Sequence, residues 1–303
     1  MFPSLTKISD FSKEQIWEIL KLAKELQDKK EKNGFLSPLL RGKNIAMIFE
    51  KPSLRTKAAF EIAAADLGAH PIFFGRNEIF LSDDGDERES LFDIIKNLEK
   101  FCDLIGARVF SHSTISQMAE FSGVPIINFL CDQHHPTQAI CDIFAIWQHY
   151  GKVENLKIAW IGDGNNVANS LAQICEILGI NFFISSPKNF QIPPQKISNF
   201  KNVFSVDDPL EAAQNANVIM TDTWVSMGEE KQKQEKIKQF SSFQINKKLM
   251  KKAKKKAIFM HCLPAHRNIE VSSEVFDSSQ SIVFKQAVAR LFIARALLIK
   301  LLK

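Results

Sequence analysis

Apolar residues in this chain arrive in short continuous runs, each followed by a stretch where they recur every third or fourth position. Runs at 44–49, 71–74, 104–110 and 125–129 read as buried strands, and the segments 54–67, 88–101 and 113–121 between them read as helices. The second half repeats the alternation, with strands at 157–162, 181–185, 202–206, 217–222 and 257–262. Apolar strands alternating with amphipathic helices indicate parallel sheets covered on both faces. The fold class is therefore α/β: two domains, each a parallel sheet flanked by helices, joined by interdomain helices. Residues 134–150 carry a helical pattern stopped at Gly151, which predicts the connecting helix and the place of a hinge. Near the start, Leu20, Ala23 and Leu26 at helical spacing predict an amphipathic helix on the first domain. The apolar stretch 291–302 predicts a last helix that docks back on it. The expected boundaries are 1–133 with 286–303 for the first domain, 134–150 for the connecting helix and 151–285 for the second domain.

Composition narrows the class. With 303 residues and 45% apolar content the chain can bury a substantial core. The net charge of +5 is uneven, because Lys247, Lys248, Lys251, Lys252, Lys254, Lys255 and Lys256 crowd one stretch. No aromatic residues interleave with these lysines for base stacking, so a solvated helix face is expected and no nucleic-acid partner. The longer tract 229–256, rich in Lys, Gln and Glu, reads as an exposed helix pair, with a flap over a site as the other reading. The five cysteines are odd in number and widely spaced, with no Cys-x-x-Cys pair, which argues against disulfides and structural zinc. No secretory pattern opens the chain, and Arg295 and Lys300 interrupt its most apolar stretch, which is too short for a bilayer. A cytoplasmic protein with no membrane partner is expected.

Polar residues gather where the strands end. Phe49-Glu50-Lys51-Pro52-Ser53-Leu54-Arg55-Thr56 places two hydroxyls and a guanidinium at a strand-to-helix turn, where free N–H groups and the helix dipole favour an anion. Ser53 as a plain N-cap, with Arg55 as a solvated charge, is the competing reading. His134-His135-Pro136-Thr137-Gln138 follows another strand, and Arg108 lies in the strand 103–110. In open parallel sheets ligands bind beyond the carboxyl ends of strands, so these groups can face one anion-and-carbonyl site. Taken singly, His135 could cap its own helix and Arg108 could serve a structural ion pair.

The turn Gly162-Asp163-Gly164-Asn165-Asn166 resembles a dinucleotide fingerprint, but Val167 stands where its third glycine belongs. A small polar ligand held by Asn166 is the better expectation, with helix capping by Asn165 or Asn166 beside it. Asp222 supplies a charge suited to an ammonium, and Cys262 a thiol whose role depends on its pKa. Gln286 and Arg290, four residues apart on the last helix, could close the site with another cation.

In this order the motifs resemble those of the ornithine carbamoyltransferases, within the aspartate/ornithine carbamoyltransferase family. The family's S-T-R-T appears as Ser53-Leu54-Arg55-Thr56, its H-P-T-Q as His135 to Gln138, its D-x-x-x-S-M-G as Asp222 to Gly228, and its H-C-L-P as His261 to Pro264. The resemblance spans nearly the whole chain. It implies transfer of the carbamoyl group of carbamoyl phosphate to the side-chain amine of L-ornithine, without cofactor or metal. It implies that Ser53, the Leu54 N–H, Arg55 and Thr56 hold the phosphate, with Arg108 bridging towards the carbonyl and Arg290 beside the same ligand. His135 would contact the carbonyl oxygen, Gln138 and the Leu263 backbone would receive the carbamoyl amine, and Asn166, Asp222, Ser226 and Met227 would hold ornithine. Cys262 would face the attacking amine, and Arg108, His135, Gln138, Asp222 and Cys262 form the expected catalytic set. Family members are trimers or multiples of trimers, and the same assembly is expected here.

The chain departs from the pattern at Leu54, where the family has threonine, and at Phe80, where it commonly has a glutamine or histidine reaching a neighbouring subunit's phosphate. Phenylalanine cannot make that hydrogen bond, and the segment 82–87 beside it is unusually acidic. Three rival functions remain: carbamoyl transfer to another amine such as putrescine or N-acetylornithine, a nucleotide-binding oxidoreductase built on the Gly162 turn, and a non-catalytic protein that contacts an acidic partner through its lysines.

Overall fold

The structure, a computed structural model, describes residues 2–79, 89–225 and 233–303. The chain divides into two compact units, one formed by 1–141 with 288–303 and the other by 142–287.

In the first unit, α1 (Lys13–Asn33) opens on Ser12, which pairs with Gln15 in a reciprocal cap, and buries Ile16, Ile19, Leu20, Ala23 and Leu26 on one stripe. A parallel sheet follows in the order β2-β1-β3-β4, from β1 (Asn44–Phe49), β2 (His70–Gly75), β3 (Leu104–Arg108) and β4 (Ile126–Leu130). Its helices are α2 (Leu54–Asp66), α3 (Leu91–Phe101) and α4 (His112–Phe121). Strand β1 is central and buried on both faces, which is why its sequence is an unbroken apolar run.

In the second unit the sheet order is β7-β6-β5-β8-β9, all parallel, from β5 (Lys157–Ile161), β6 (Asn181–Ser185), β7 (Val203–Ser205), β8 (Val218–Thr221) and β9 (Ile258–His261). Here α6 (Asn166–Leu178) is the principal helix, accompanied by α7 (Pro194–Ile197), α8 (Pro209–Ala213), α9 (Lys233–Phe240), α10 (Lys247–Met250) and α11 (Ser273–Phe276). The division between units falls within α5 (Pro136–Tyr150) and within α12 (Val283–Leu302).

Two expectations need correction. The lysines beyond 250 do not share a helix face: α10 ends at Met250, and Lys251, Lys252, Lys254, Lys255 and Lys256 are exposed on the following turn. Nor is α9 a plain solvated helix, since it buries Lys236 and Phe240.

Candidate active site

Both sheets reverse their winding direction at one point: between β1 and β3 in the first unit, and between β5 and β8 in the second. At such a point adjacent crossovers leave in opposite directions and open a crevice beyond the strand ends. Ser53 to Thr56 follow β1 and Arg108 ends β3 at the first, and Asn165 and Asp222 follow β5 and β8 at the second. His135 and Cys262 follow the adjoining edge strands β4 and β9.

In the first unit β1 runs into Ser53, which caps α2 by accepting the Thr56 N–H at 3.4 Å. The capping and anion-binding readings are compatible, since both need the hydroxyl at the helix N-terminus. Arg108 ends β3 opposite Phe49, where the pairing with β4 shifts register between Ala107 and Arg108. Such a shift re-aims a side chain, and Arg108 is buried here. Thr56 Oγ1 is buried with no hydrogen-bond partner. An orphaned hydroxyl in a packed interior is costly unless a ligand or water meets it. A cavity of about 10 Å³, room for one water molecule, lies against Thr56, Thr137, Gln138 and Arg290. Leu54, the departure from the family motif, is 79% exposed, so its side chain does not enter the cradle.

His135 is buried, and that burial, reinforced by the positive charges of Arg290, Arg108 and Arg55, holds its imidazole well below the ordinary histidine range. At neutral pH the ring is therefore uncharged. Burial, and after it the positive charge of Arg108, lower the pKa of the Lys51 ammonium, which lies 4.3 Å over the Phe110 ring. Lys51 is thus a fourth cation of the cluster that motif matching alone did not single out. The signal available was its place between a strand end and a helix cap.

The histidine has a measurable consequence for stability. An unfolded histidine gains its proton near pH 6.5 whereas the folded His135 resists it, so its effect on stability is absent above that value and becomes destabilising as pH falls. Each pH unit below costs up to about 1.4 kcal/mol for this one group. The urea midpoint of the parent protein is expected to fall between pH 7 and 5 more steeply than that of His135→Gln. Parallel curves would assign the acid sensitivity elsewhere.

In the second unit Asp222 follows β8 and is the hub. Its Oδ2 accepts from Asn165 Nδ2 at 2.9 Å, and its Oδ1 accepts from Cys262 Sγ at 2.9 Å and from the Thr223 N–H at 2.7 Å. Asn165 also caps α6, its Oδ1 accepting the N–H groups of Val167 and Ala168. Those are among the donors a pyrophosphate would need, so the helix end is satisfied from within and the oxidoreductase reading loses its site. Asn166 is the first residue of α6.

His261 accepts the Leu263 N–H at Nδ1 (2.9 Å) and faces Glu270 Oε1 through Nε2 (3.2 Å), with both His261 and Glu270 fully buried. Glu270 also accepts the His266 N–H. This fixes the tautomer, Nε2 carrying the proton, and holds Leu263 at its positive φ of 60°. Asp222, His261 and Cys262 bring ligand-type atoms within 4.8 Å of one another. With both ring nitrogens engaged, however, His261 has no lone pair left for an ion, and two ligands fall short of a closed zinc site.

Gln286 corrects a further expectation. Its amide is spent on the His261 N–H at 2.9 Å and on Asp142 Oδ1 at 2.7 Å, so it braces β9 instead of joining Arg290 at a ligand. None of the five cysteines is in a disulfide, and all are buried. Phe80, Ser226 and Met227 lie outside the described residues.

Residues 4–148 match the carbamoyl-P binding domain of the family described as aspartate/ornithine carbamoyltransferase, and residues 154–301 match its Asp/Orn binding domain. The chain is 39% identical over 302 residues to the ornithine carbamoyltransferase of Archaeoglobus fulgidus, covering 98% of this chain and 97% of that one. It is 40% identical over 300 residues to that of Methanosarcina mazei, covering 98% of each. Among solved structures, the ornithine carbamoyltransferase from Pyrococcus furiosus superposes with a TM-score of 0.92 at 38% identity, covering 98% of this chain and 96% of that one. The one from Thermus thermophilus gives 0.90 at 35% identity over 99% of both chains.

Proposed function

The chain belongs to the aspartate/ornithine carbamoyltransferase family, and from that membership we propose how its two units share the reaction. It transfers the carbamoyl group of carbamoyl phosphate to the side-chain amine of L-ornithine, giving L-citrulline and phosphate. Putrescine and N-acetylornithine are not favoured as acceptors, because the curated relatives carry ornithine in their names. The observation that carries the division of labour is the gathering of Arg55, Arg108 and Arg290 around a buried, uncharged His135. Three guanidiniums converging on one side chain suit a doubly charged phosphate.

In this reading Ser53, the Leu54 N–H, Arg55, Thr56 and Arg108 hold the phosphate, and Gln138 and Arg290 complete the carbamoyl end. As the amine attacks, charge collects on the carbonyl oxygen, where Thr56, Arg108 and neutral His135 donate, each well-placed donor contributing on the order of 3 kcal/mol. The C–O bond to phosphate then breaks and phosphate departs as a dianion held by the same cations. Ornithine is assigned to the second unit, to Asn166, Asp222, Ser226 and Met227, with Cys262 facing the attacking amine. A thiol 2.9 Å from a carboxylate shares its proton with it, so Cys262 serves as a donor, and the amine's proton goes to the departing phosphate, directly or by way of Asp222, which leaves that phosphate a dianion. A cytoplasmic place in arginine biosynthesis and an assembly of three copies, or a multiple of three, belong to the same proposal. Leu54, Ile62 and Phe73, apolar and exposed on the first unit, support an assembly.

The test offers ornithine, putrescine, N-acetylornithine and aspartate side by side with carbamoyl phosphate, on protein whose solution mass is measured in the same buffer. Turnover confined to ornithine, at a mass that is a multiple of three times 34.4 kDa, is expected. Comparable turnover of another amine would overturn the acceptor assignment, and a monomer or dimer that turns over would overturn the trimer.

A further inference from the structure

Lys236 is a lysine where solvent exposure would be the rule. It is 4% exposed, lies 5.1 Å from the ring centre of Phe190 and 6.0 Å from that of Phe240, and its ammonium is 2.7 Å from Asp163 Oδ2. Replacing a buried ion pair with well-packed apolar side chains is often neutral or stabilising, so stability alone gives no reason to keep a charge between two phenylalanines. Its use lies in what Asp163 belongs to. Asp163 sits in the turn after β5, its carbonyl accepts the Trp160 Nε1–H at 2.9 Å, and the next residue, Gly164, donates its N–H to the Phe190 carbonyl at 2.7 Å. One residue further on, Asn165 caps α6 and donates to Asp222, which in turn receives the Cys262 thiol.

We infer that Lys236 is a positioning residue for the acceptor amino acid: by pinning Asp163 it sets the turn from which Asn165 orients the Asp222 carboxylate. The inference rests on the assignment of ornithine to Asn166 and Asp222. Lys236 itself touches neither substrate. It acts through a chain of directional contacts running from the ammonium through Asp163, Asn165 and Asp222 to Cys262. Such a chain needs a charge of fixed reach on α9, which methionine, of similar length, does not supply. Arginine keeps the charge and can grip the same carboxylate.

The experiment measures half-saturation for both substrates, kcat and Tm in Lys236→Met, Lys236→Arg and Asp222→Ala, with the full chain. Lys236→Met is expected to raise the half-saturation for ornithine tenfold or more while that for carbamoyl phosphate stays within twofold. Lys236→Arg is expected to bring ornithine back to within threefold of the parent. Ornithine affinity unchanged in Lys236→Met, or both substrates weakened equally alongside a fall in Tm, overturns the inference. Asp222→Ala is the reference. If it raises the ornithine value and Lys236→Met does not, only the role of Lys236 falls; if Asp222→Ala is itself silent, the placing of ornithine fails and the inference with it. Should Lys236→Met not fold, Lys236→Met with Asp163→Asn removes both buried charges, and the same selective loss for ornithine is required of it.

Discussion

Arg55→Ala is expected to abolish carbamoyl phosphate binding while leaving the fold at least as stable as the parent. Charge-assisted hydrogen bonds contribute about 1.5–3 kcal/mol each, so losing a bidentate grip on phosphate costs a hundredfold or more in affinity. The remaining cations, Arg108, Arg290 and Lys51, still attract an anion but cannot restore that geometry. Stability should move the other way. Arg55 is one of the charges that hold His135 uncharged, and removing it relieves like-charge repulsion within the cluster. The variant's acid limb should accordingly shift to lower pH, because its His135 accepts a proton more readily. Asp222→Ala, on the other unit, should leave carbamoyl phosphate binding intact and raise the Michaelis constant for ornithine. Equal losses of both substrates in both variants would refute the division of labour. Isothermal titration of carbamoyl phosphate, with urea unfolding at two pH values, makes the comparison.

Gly164→Ala should be the most damaging single methyl group in the second unit. A Cβ at this position would lie 2.5 Å from the Ile192 N, 2.7 Å from the Phe190 O and 2.8 Å from the Gln191 carbonyl carbon. These are backbone atoms that cannot swing aside, so the turn itself must move, carrying Asn165 away from Asp222. Overpacking of this kind costs about 1–3 kcal/mol, and ornithine affinity should fall at least tenfold. Gly179 provides the contrast. It ends α6 at φ +72° with open space where a Cβ would go, so Gly179→Ala should lower stability by about 1 kcal/mol and leave both Michaelis constants unchanged. Thermal melts with steady-state kinetics on the two variants separate a displaced turn from a strained one. Wild-type ornithine affinity in Gly164→Ala would mean that the turn does not govern Asp222.

What was legible in the sequence follows from how local each feature is. The run over 44–49 marks β1 because a central parallel strand has no solvent face and needs apolar residues throughout. Ser53, Arg108, His135, Asp222 and Cys262 were findable because strand ends are where a parallel sheet exposes chemistry. Lys236 was not, since a buried lysine amid the solvated ones of 229–256 has the same sequence pattern, and its partner lies 73 residues away. Gln286 illustrates the reverse error. Helical spacing aligned it with Arg290, but spacing on one helix does not reveal that β9 takes its amide first. Glu270 stayed silent for a similar reason, as a carboxylate nine residues beyond His261 on an irregular segment with no periodicity to point back.

The division of the chain bears on how the protein is made. Residues 142–287 form a continuous unit, whereas the first unit needs 288–303 to be complete. Those late residues include Leu297 and Leu298, fully buried, and Arg295, paired with Asp66. During synthesis the first 141 residues therefore leave the ribosome with an apolar face uncovered while the intervening segment is translated, on the order of ten seconds at cellular elongation rates. The second unit can finish folding in that interval. The half that emerges first is the last to close, and that wait is the chain's period of greatest exposure to aggregation and to chaperones.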